Sequence, residues 1–165
     1  MGSFNDSRYG DLSGQDITMA SLSLADTELE DLEGSPEIFR GDFNMSGNDL
    51  VNLKGSPKEI YGYAIFEDNL LESLEGNLKT VVGNLNISNN PLKDFNGSIR
   101  KVTGDLFVNK LTEFNTLQEI ENALLDANIV VGGKIYCDFG EFIQDPDKVR
   151  EYSKNQRIGI LQRFI

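Results

Sequence analysis

The sequence predicts a solenoid, an α/β repeat whose coils stack around one continuous core with a parallel sheet along one side. Three observations carry this. Glycine recurs every 21 residues in two columns: Gly34, Gly55, Gly76, Gly97 and Gly41, Gly62, Gly83, Gly104. Five apolar columns keep the same register, among them Leu22/Phe43/Ala64/Leu85/Leu106, Leu24/Met45/Phe66/Ile87/Val108 and Phe39/Ile60/Val81/Val102. One polar column, Asn48/Asn69/Asn90, keeps it too. A fixed period in the twenties means that each repeat buries its apolar face only by stacking on its neighbours.

Residues 1–19 read as a lead-in or cap. They are rich in Gly, Ser, Asn and Asp, and Ile17 and Met19 alternate as in a strand that opens the stack. A terminal coil needs such a cover, because its apolar edge otherwise meets water.

The repeats proper span residues 20–114. After the second glycine the pattern has period two: in Gly83-Asn84-Leu85-Asn86-Ile87-Ser88 the leucine and isoleucine face one way and the polar residues the other. That is a short, half-buried strand. Strands are expected to start at Ser21, Asp42, Tyr63, Asn84 and Asp105 and to stack in one parallel sheet. The return path carries two more leucine columns, Leu29/Leu50/Leu71/Leu92 and Leu32/Leu53/Leu74/Phe95. An inward Asn at 48, 69 and 90 can satisfy the backbone of its own turn and of the coil beside it. Gly34-Ser35-Pro36 and Gly55-Ser56-Pro57 then predict an extended or irregular outer side, because proline disfavours a continuing helix.

The stretch Leu85-Asn86-Ile87-Ser88-Asn89-Asn90-Pro91-Leu92 resembles the core of the leucine-rich repeat family, L-x-L-x-x-N-x-L. The full 21-residue unit is similar to the short repeats of bacterial and tailed-phage proteins. That resemblance implies a right-handed solenoid with the sheet on a concave face, used to bind protein. The chain departs from the family where a leucine normally precedes the strand: Arg40, Tyr61, Val82 and Thr103 stand there, and the apolar column falls one residue earlier.

Residues 115–165 read as a helix, a last strand and a closing helix. Thr116-Leu117-Gln118-Glu119 is a capping box, and Leu117, Ile120, Leu124 and Ala127 form a helical stripe. Val130-Val131-Gly132-Gly133 is expected to turn the chain, and Lys134-Ile135-Tyr136-Cys137 to return to the sheet with Ile135 and Cys137 inward. Asp145-Pro146-Asp147 starts a final helix, proline in its first turn and carboxylates at its positive end. Val149, Tyr152, Leu161 and Phe164 are its expected buried side, and Gly159 is a candidate kink.

The chain has no histidine, which removes His-based acid–base catalysis, triads and His metal sites. The one cysteine, Cys137, falls on an inward strand position, where a packing role is expected, and one cysteine forms no internal disulfide. Gly133-Lys134 lacks the remainder of a phosphate-binding loop. The acidic run Asp26, Glu28, Glu30, Asp31, Glu33 has no EF-hand spacing and reads as a solvated turn. No enzyme activity, cofactor or metal is therefore expected. With no signal-peptide pattern and no membrane-length apolar run, the expected location is cytoplasmic.

Net charge is −12, concentrated in residues 1–76 with 16 acidic against 4 basic side chains. Such a field disfavours nucleic acid and acidic membranes as direct partners and favours a protein with a basic surface. The candidate binding residues are the outward strand positions: Asp42, Asn44, Tyr63, Ile65, Glu67, Asn84, Asn86, Asp105, Phe107 and Tyr136. Exposed aromatics amid small polar residues suit a binding face, because aromatics supply contact area at low entropic cost. The leading expectation is a non-enzymatic protein-binding module, in a phage or bacterial setting an inhibitor or modifier of a host protein. The alternatives are an acidic mimic of nucleic acid in a nuclease or polymerase groove, and a structural or assembly component.

Overall fold

Each repeat lays down two short strands, one on either side of a glycine corner. The computed structural model describes residues 2–162, with the backbone alone for Ile160 and Leu161. Its elements are β1 (Asp16–Ser23), β2 (Ile38–Asn44), β3 (Glu59–Ile60), β4 (Ala64–Ile65), β5 (Thr80–Val81), β6 (Leu85–Asn86), β7 (Lys101–Val102), β8 (Leu106–Phe107), α1 (Leu117–Asp126), β9 (Val130–Val131), β10 (Lys134–Cys137), β11 (Gly140–Ile143) and α2 (Pro146–Gln162), with a 3-10 turn at Phe4–Asp6 before them.

The strands form two parallel rows. In the front wall Leu22, Phe43, Ala64, Leu85, Leu106 and Ile135 lie in register. In the side wall the row is Ile17, Phe39, Ile60, Val81, Val102 and Val131. The long strands β1 and β2 run through both walls and join them in one network, ordered β11-β10-β8-β6-β4-β2-β3-β5-β7-β9, with β1 on β2. The sequence predicts only the front wall. The side wall comes from the Phe39/Ile60/Val81/Val102 column, whose inward residue lies between two outward ones, as in any strand. Val130-Val131, expected to turn the chain, is the last side-wall strand. The return path is extended or irregular, with no helix between repeats.

The glycine corners follow from stacking. Strands hydrogen-bond at about 4.8 Å, so each corner lies directly on the one before. A β-carbon on Gly104 would lie 2.7 Å from the Gly83 carbonyl, and one on Gly133 would lie 2.6 Å from the Gly104 oxygen. The chain leaves the front wall through a second stacked column with left-handed backbone: Asp26 (φ 55°), Gly47 (66°), Asp68 (55°), Asn89 (53°) and Lys110 (53°). Gly, Asn and Asp tolerate that region best.

The apolar columns are all buried. The asparagines do what their column predicts. Asn69 Nδ2 donates to the carbonyls of Phe66 (3.1 Å) and Glu67 (3.2 Å) in its own coil and of Met45 (2.9 Å) in the preceding one. Its Oδ1 accepts from Leu50 N–H at 3.1 Å. Asn48 and Asn90 repeat the arrangement. In the first coil the Thr27 hydroxyl donates to Leu24 O at 2.7 Å, and in the last the column ends at buried Leu111.

Both ends of the stack are covered. At the N-terminal end Phe4 is fully buried with its ring 6.3 Å from that of Phe43. Asn5 N–H donates to Glu33 O (2.8 Å) and Leu12 N–H to Gly34 O (2.7 Å), which fixes the irregular segment as a lid. At the C-terminal end Thr116 Oγ1 caps α1 through Glu119 N–H at 3.1 Å, and Ile120, Leu124 and Ala127 are buried. Glu119 reaches back to Asn115 N–H (2.8 Å), one residue beyond the usual capping-box partner. Ile135 and Cys137 point inward, and β10 then turns into an antiparallel hairpin with β11 that the sequence does not predict. Helix α2 runs unbroken through Gly159, because a glycine keeps the helical N–H that proline would remove. It lies beside α1 through Lys148–Glu121 (3.0 Å) and Tyr152–Asp126, with Val149 and Tyr152 half-buried. The Leu161 side chain and Phe164 lie outside the described residues.

Two substitutions test the stacking constraint, and a third at an exposed position serves as their control. Asn69→Ala leaves Leu50 N–H without its acceptor and is expected to lower unfolding free energy by about 3 kcal/mol. Exposed Asn122→Ala is expected to stay within about 0.5 kcal/mol of wild type. Gly104→Ala forces adjacent coils apart and is expected to cost more than about 3 kcal/mol or prevent folding. Urea denaturation followed by circular dichroism checks all three.

Candidate functional face

The outer face of the front wall carries the outward residues in three columns. They read Asp42/Tyr63/Asn84/Asp105/Lys134, Asn44/Ile65/Asn86/Phe107/Tyr136 and Ser46/Glu67/Ser88/Asn109/Asp138. The middle column is set by direct pairing of each residue with the next.

Most polar members of these columns are tied to backbone. Asp42 Oδ1 accepts from Tyr63 N–H, Asn84 Oδ1 from Asp105 N–H, and Asp105 Oδ1 from Lys134 N–H, each at 2.8 Å. These side chains bridge the corners coil to coil, where the ladder turns from one wall to the other. Asn44 Oδ1 accepts from Ser46 N–H (3.0 Å) and from the Ser46 hydroxyl (2.8 Å). Asn86 is buried: its Oδ1 accepts from Ser88 N–H (3.0 Å) and its Nδ2 donates to Glu67 Oε2 (2.9 Å). These residues build the platform.

The large side chains stand on it. Phe107 and Tyr136 stack with ring centroids 4.9 Å apart and planes within 8°. Tyr63, from two coils earlier than Phe107, leans across the intervening coil to bring its ring 6.1 Å from Phe107. Ile65 precedes buried Asn86 in the same column. All four are half-buried, and they come from three coils, with the rings of Tyr63, Phe107 and Tyr136 in one row. Burial above all, and then the nearby Glu67 and Asp105 carboxylates, raises the Tyr63 phenol above its ordinary range, against an opposing hydrogen bond with Asn86.

The sequence did not single out a second exposed row on the side wall. There Tyr61 and Val82 are exposed, and the Arg40 guanidinium lies 4.7 Å over the Tyr61 ring. Its signal was the departure at Arg40, Tyr61, Val82 and Thr103 from the leucine expected before the strand. Those positions point outward because their neighbours Phe39, Ile60, Val81 and Val102 point in.

A groove of about 260 Å³ follows the Gly-Ser-Pro turns between Ser13, Glu37, Ser56, Lys58 and Asn77. Ser56 Oγ, beneath it, is the buried side-chain polar atom without a protein partner among the described residues. Among the described residues no three carboxylates or thiols converge as ligands for a metal, and no helix is long and apolar enough to cross a membrane. Comparison of the chain with protein-family models, with curated proteins and with solved structures returns no match.

The Tyr63 environment gives a pH dependence. The folded protein holds the phenolic proton more tightly than the unfolded chain does. That contribution to stability is fully present below the ordinary tyrosine value of 10.0 and is lost as pH rises through the higher folded value. Tyr63→Phe is therefore expected to show a shallower fall in Tm above pH 10 than wild type. Thermal melts across the alkaline range check it, and parallel curves would assign the alkaline loss to other groups.

Proposed function

We propose that this protein is a non-enzymatic binding module that recognises another protein through the outer face of its front wall. The observation that supports this is the row Tyr63, Phe107 and Tyr136 with Ile65. These large side chains are held half-exposed on a platform whose polar members are engaged in backbone hydrogen bonds. A rigid aromatic row offers contact area at little cost in conformational entropy, which is why such residues dominate binding hot spots. The net charge of −12 favours a partner with a basic surface and speeds the encounter. Kinship with the short leucine-rich repeats, with their right-handed coil and concave sheet, belongs to the same proposal. So do a phage or bacterial origin, a cytoplasmic setting and the role of an inhibitor or modifier of a host protein.

A second reading, mimicry of nucleic acid, is favoured by one observation: 16 acidic against 4 basic side chains in residues 1–76. It places the contact on the exposed turn that carries Asp26, Glu28, Glu30 and Glu33.

A tagged pull-down from bacterial lysate separates the two. Phe107→Ala is expected to weaken capture by about thirtyfold, or roughly 2 kcal/mol, and Tyr63→Ala/Ile65→Ala/Phe107→Ala/Tyr136→Ala to abolish it. Circular dichroism verifies that each variant is folded. Capture that survives the fourfold change but is lost on neutralising Asp26, Glu28, Glu30 and Glu33 would replace the first reading with the second.

A further inference from the structure

The two walls have four strand edges, and three are blunted. At the N-terminal end β1 carries a register shift between Thr18 and Ser21, and the Arg8 guanidinium donates to Ser23 O at 3.0 Å. An irregular edge occupied by a side chain is a poor template for another strand. At the C-terminal end of the side wall, buried Gln144 takes the place of a next strand. Its Oε1 accepts from Val131 N–H (2.8 Å) and its Nε2 donates to Ile129 O (2.8 Å).

The fourth edge is β11, at the C-terminal end of the front wall. It pairs with β10 on one side and, among the described residues, with no strand on the other. In an antiparallel pair every second residue turns its N–H and C=O away from the partner, so β11 presents open donors and acceptors. It contains no proline or lysine to block addition, and Ile143 and the hairpin residue Phe139 are 65% and 44% exposed.

We propose that β11 is a docking edge at which a partner protein adds an extended, basic segment as the next strand of the front wall. This rests on the reading of the front wall as a binding face and names the form of the partner. Charge selects the occupant. Glu141 lies on β11, with Asp138 in the hairpin turn and Asp145 and Asp147 just beyond the strand in the chain, and the cations of this segment pair with carboxylates: Lys134 with Glu141 at 2.7 Å, Lys148 with Glu121 at 3.0 Å and Arg150 with Asp147 at 3.6 Å. Antiparallel pairing of β11 with a second copy would put two Glu141 carboxylates on one face of adjacent strands and join two molecules of charge −12. A lysine or arginine beside Glu141 and an apolar residue beside Ile143 satisfy the same edge. Added there, the segment continues the sheet whose outer face carries Phe107 and Tyr136.

The probe is an acetylated, amidated peptide of alternating lysine and valine, about eight residues long, near the upper end of ordinary strand lengths. It is titrated into the full chain and followed by amide NMR. The largest shifts and slowed exchange are expected at the Glu141 and Ile143 amides, and methylation of alternate peptide nitrogens is expected to abolish them. Ile143→Pro removes an edge N–H at an exposed position and is expected to weaken binding on the order of tenfold. Glu141→Lys leaves the backbone unchanged and is expected to reverse the preference toward a glutamate–valine peptide. Tyr63→Ala/Phe107→Ala leaves the edge open, so edge binding that persists in this variant while protein capture is lost distinguishes the edge from the aromatic face. Absence of shifts at β11, or binding indifferent to both Ile143→Pro and Glu141→Lys, would overturn the proposal. So would concentration-dependent dimerisation in sedimentation that Ile143→Pro abolishes, since the edge would then be taken by a second copy.

Discussion

Everything in this fold depends on the axial spacing between coils. Hydrogen bonds from each strand to the next hold successive coils at about 4.8 Å in both walls. Where the backbone turns a corner there is no room for a side chain along the axis, which is why Gly62, Gly83, Gly104 and Gly133 follow one another. Where the backbone bends inside the core, its polar groups point sideways and find no strand. Asn48, Asn69 and Asn90 supply the missing partners from one coil to the next. A repeat with a residue inserted would break both columns at once, so the period is kept until Val108, where the repeats give way to α1.

The same spacing shapes the outer face of the front wall. Side chains on neighbouring strands lie too close for large groups at every position. The polar residues between them lie low and bond the backbone, as Asp42, Asn84 and Asp105 do. The aromatic residues then stand above a surface with few loose side chains. Stacking of Phe107 on Tyr136, and the lean of Tyr63 toward Phe107, set these rings in place before any partner arrives. Order of this kind lowers the entropy that binding would otherwise cost.

Ends are the weak points of any stacked architecture, and this chain treats its ends unequally. The N-terminal segment places Phe4 on the exposed end of the core and ties it to Phe43. Gln144 finishes the side wall with one side chain in place of a strand. The front wall instead ends in a hairpin whose outer strand, among the described residues, pairs with no further strand.

The sequence by itself determined the coil. Period, inward columns, the asparagine ladder, the α1 cap and the strand at Ile135 and Cys137 are all legible, because each depends on a local pattern repeated along the chain. Tertiary structure decided the rest. The Phe39/Ile60/Val81/Val102 column reads equally as a loop contact or as a strand of two residues, and only the corner geometry made it a second wall. The hairpin at Gly140–Ile143 has no repeat to announce it. Tyr63, Phe107 and Tyr136 were legible as outward residues, but their convergence was not. It depends on how far one ring leans across a coil, which is set by contacts between residues 44 positions apart in the chain.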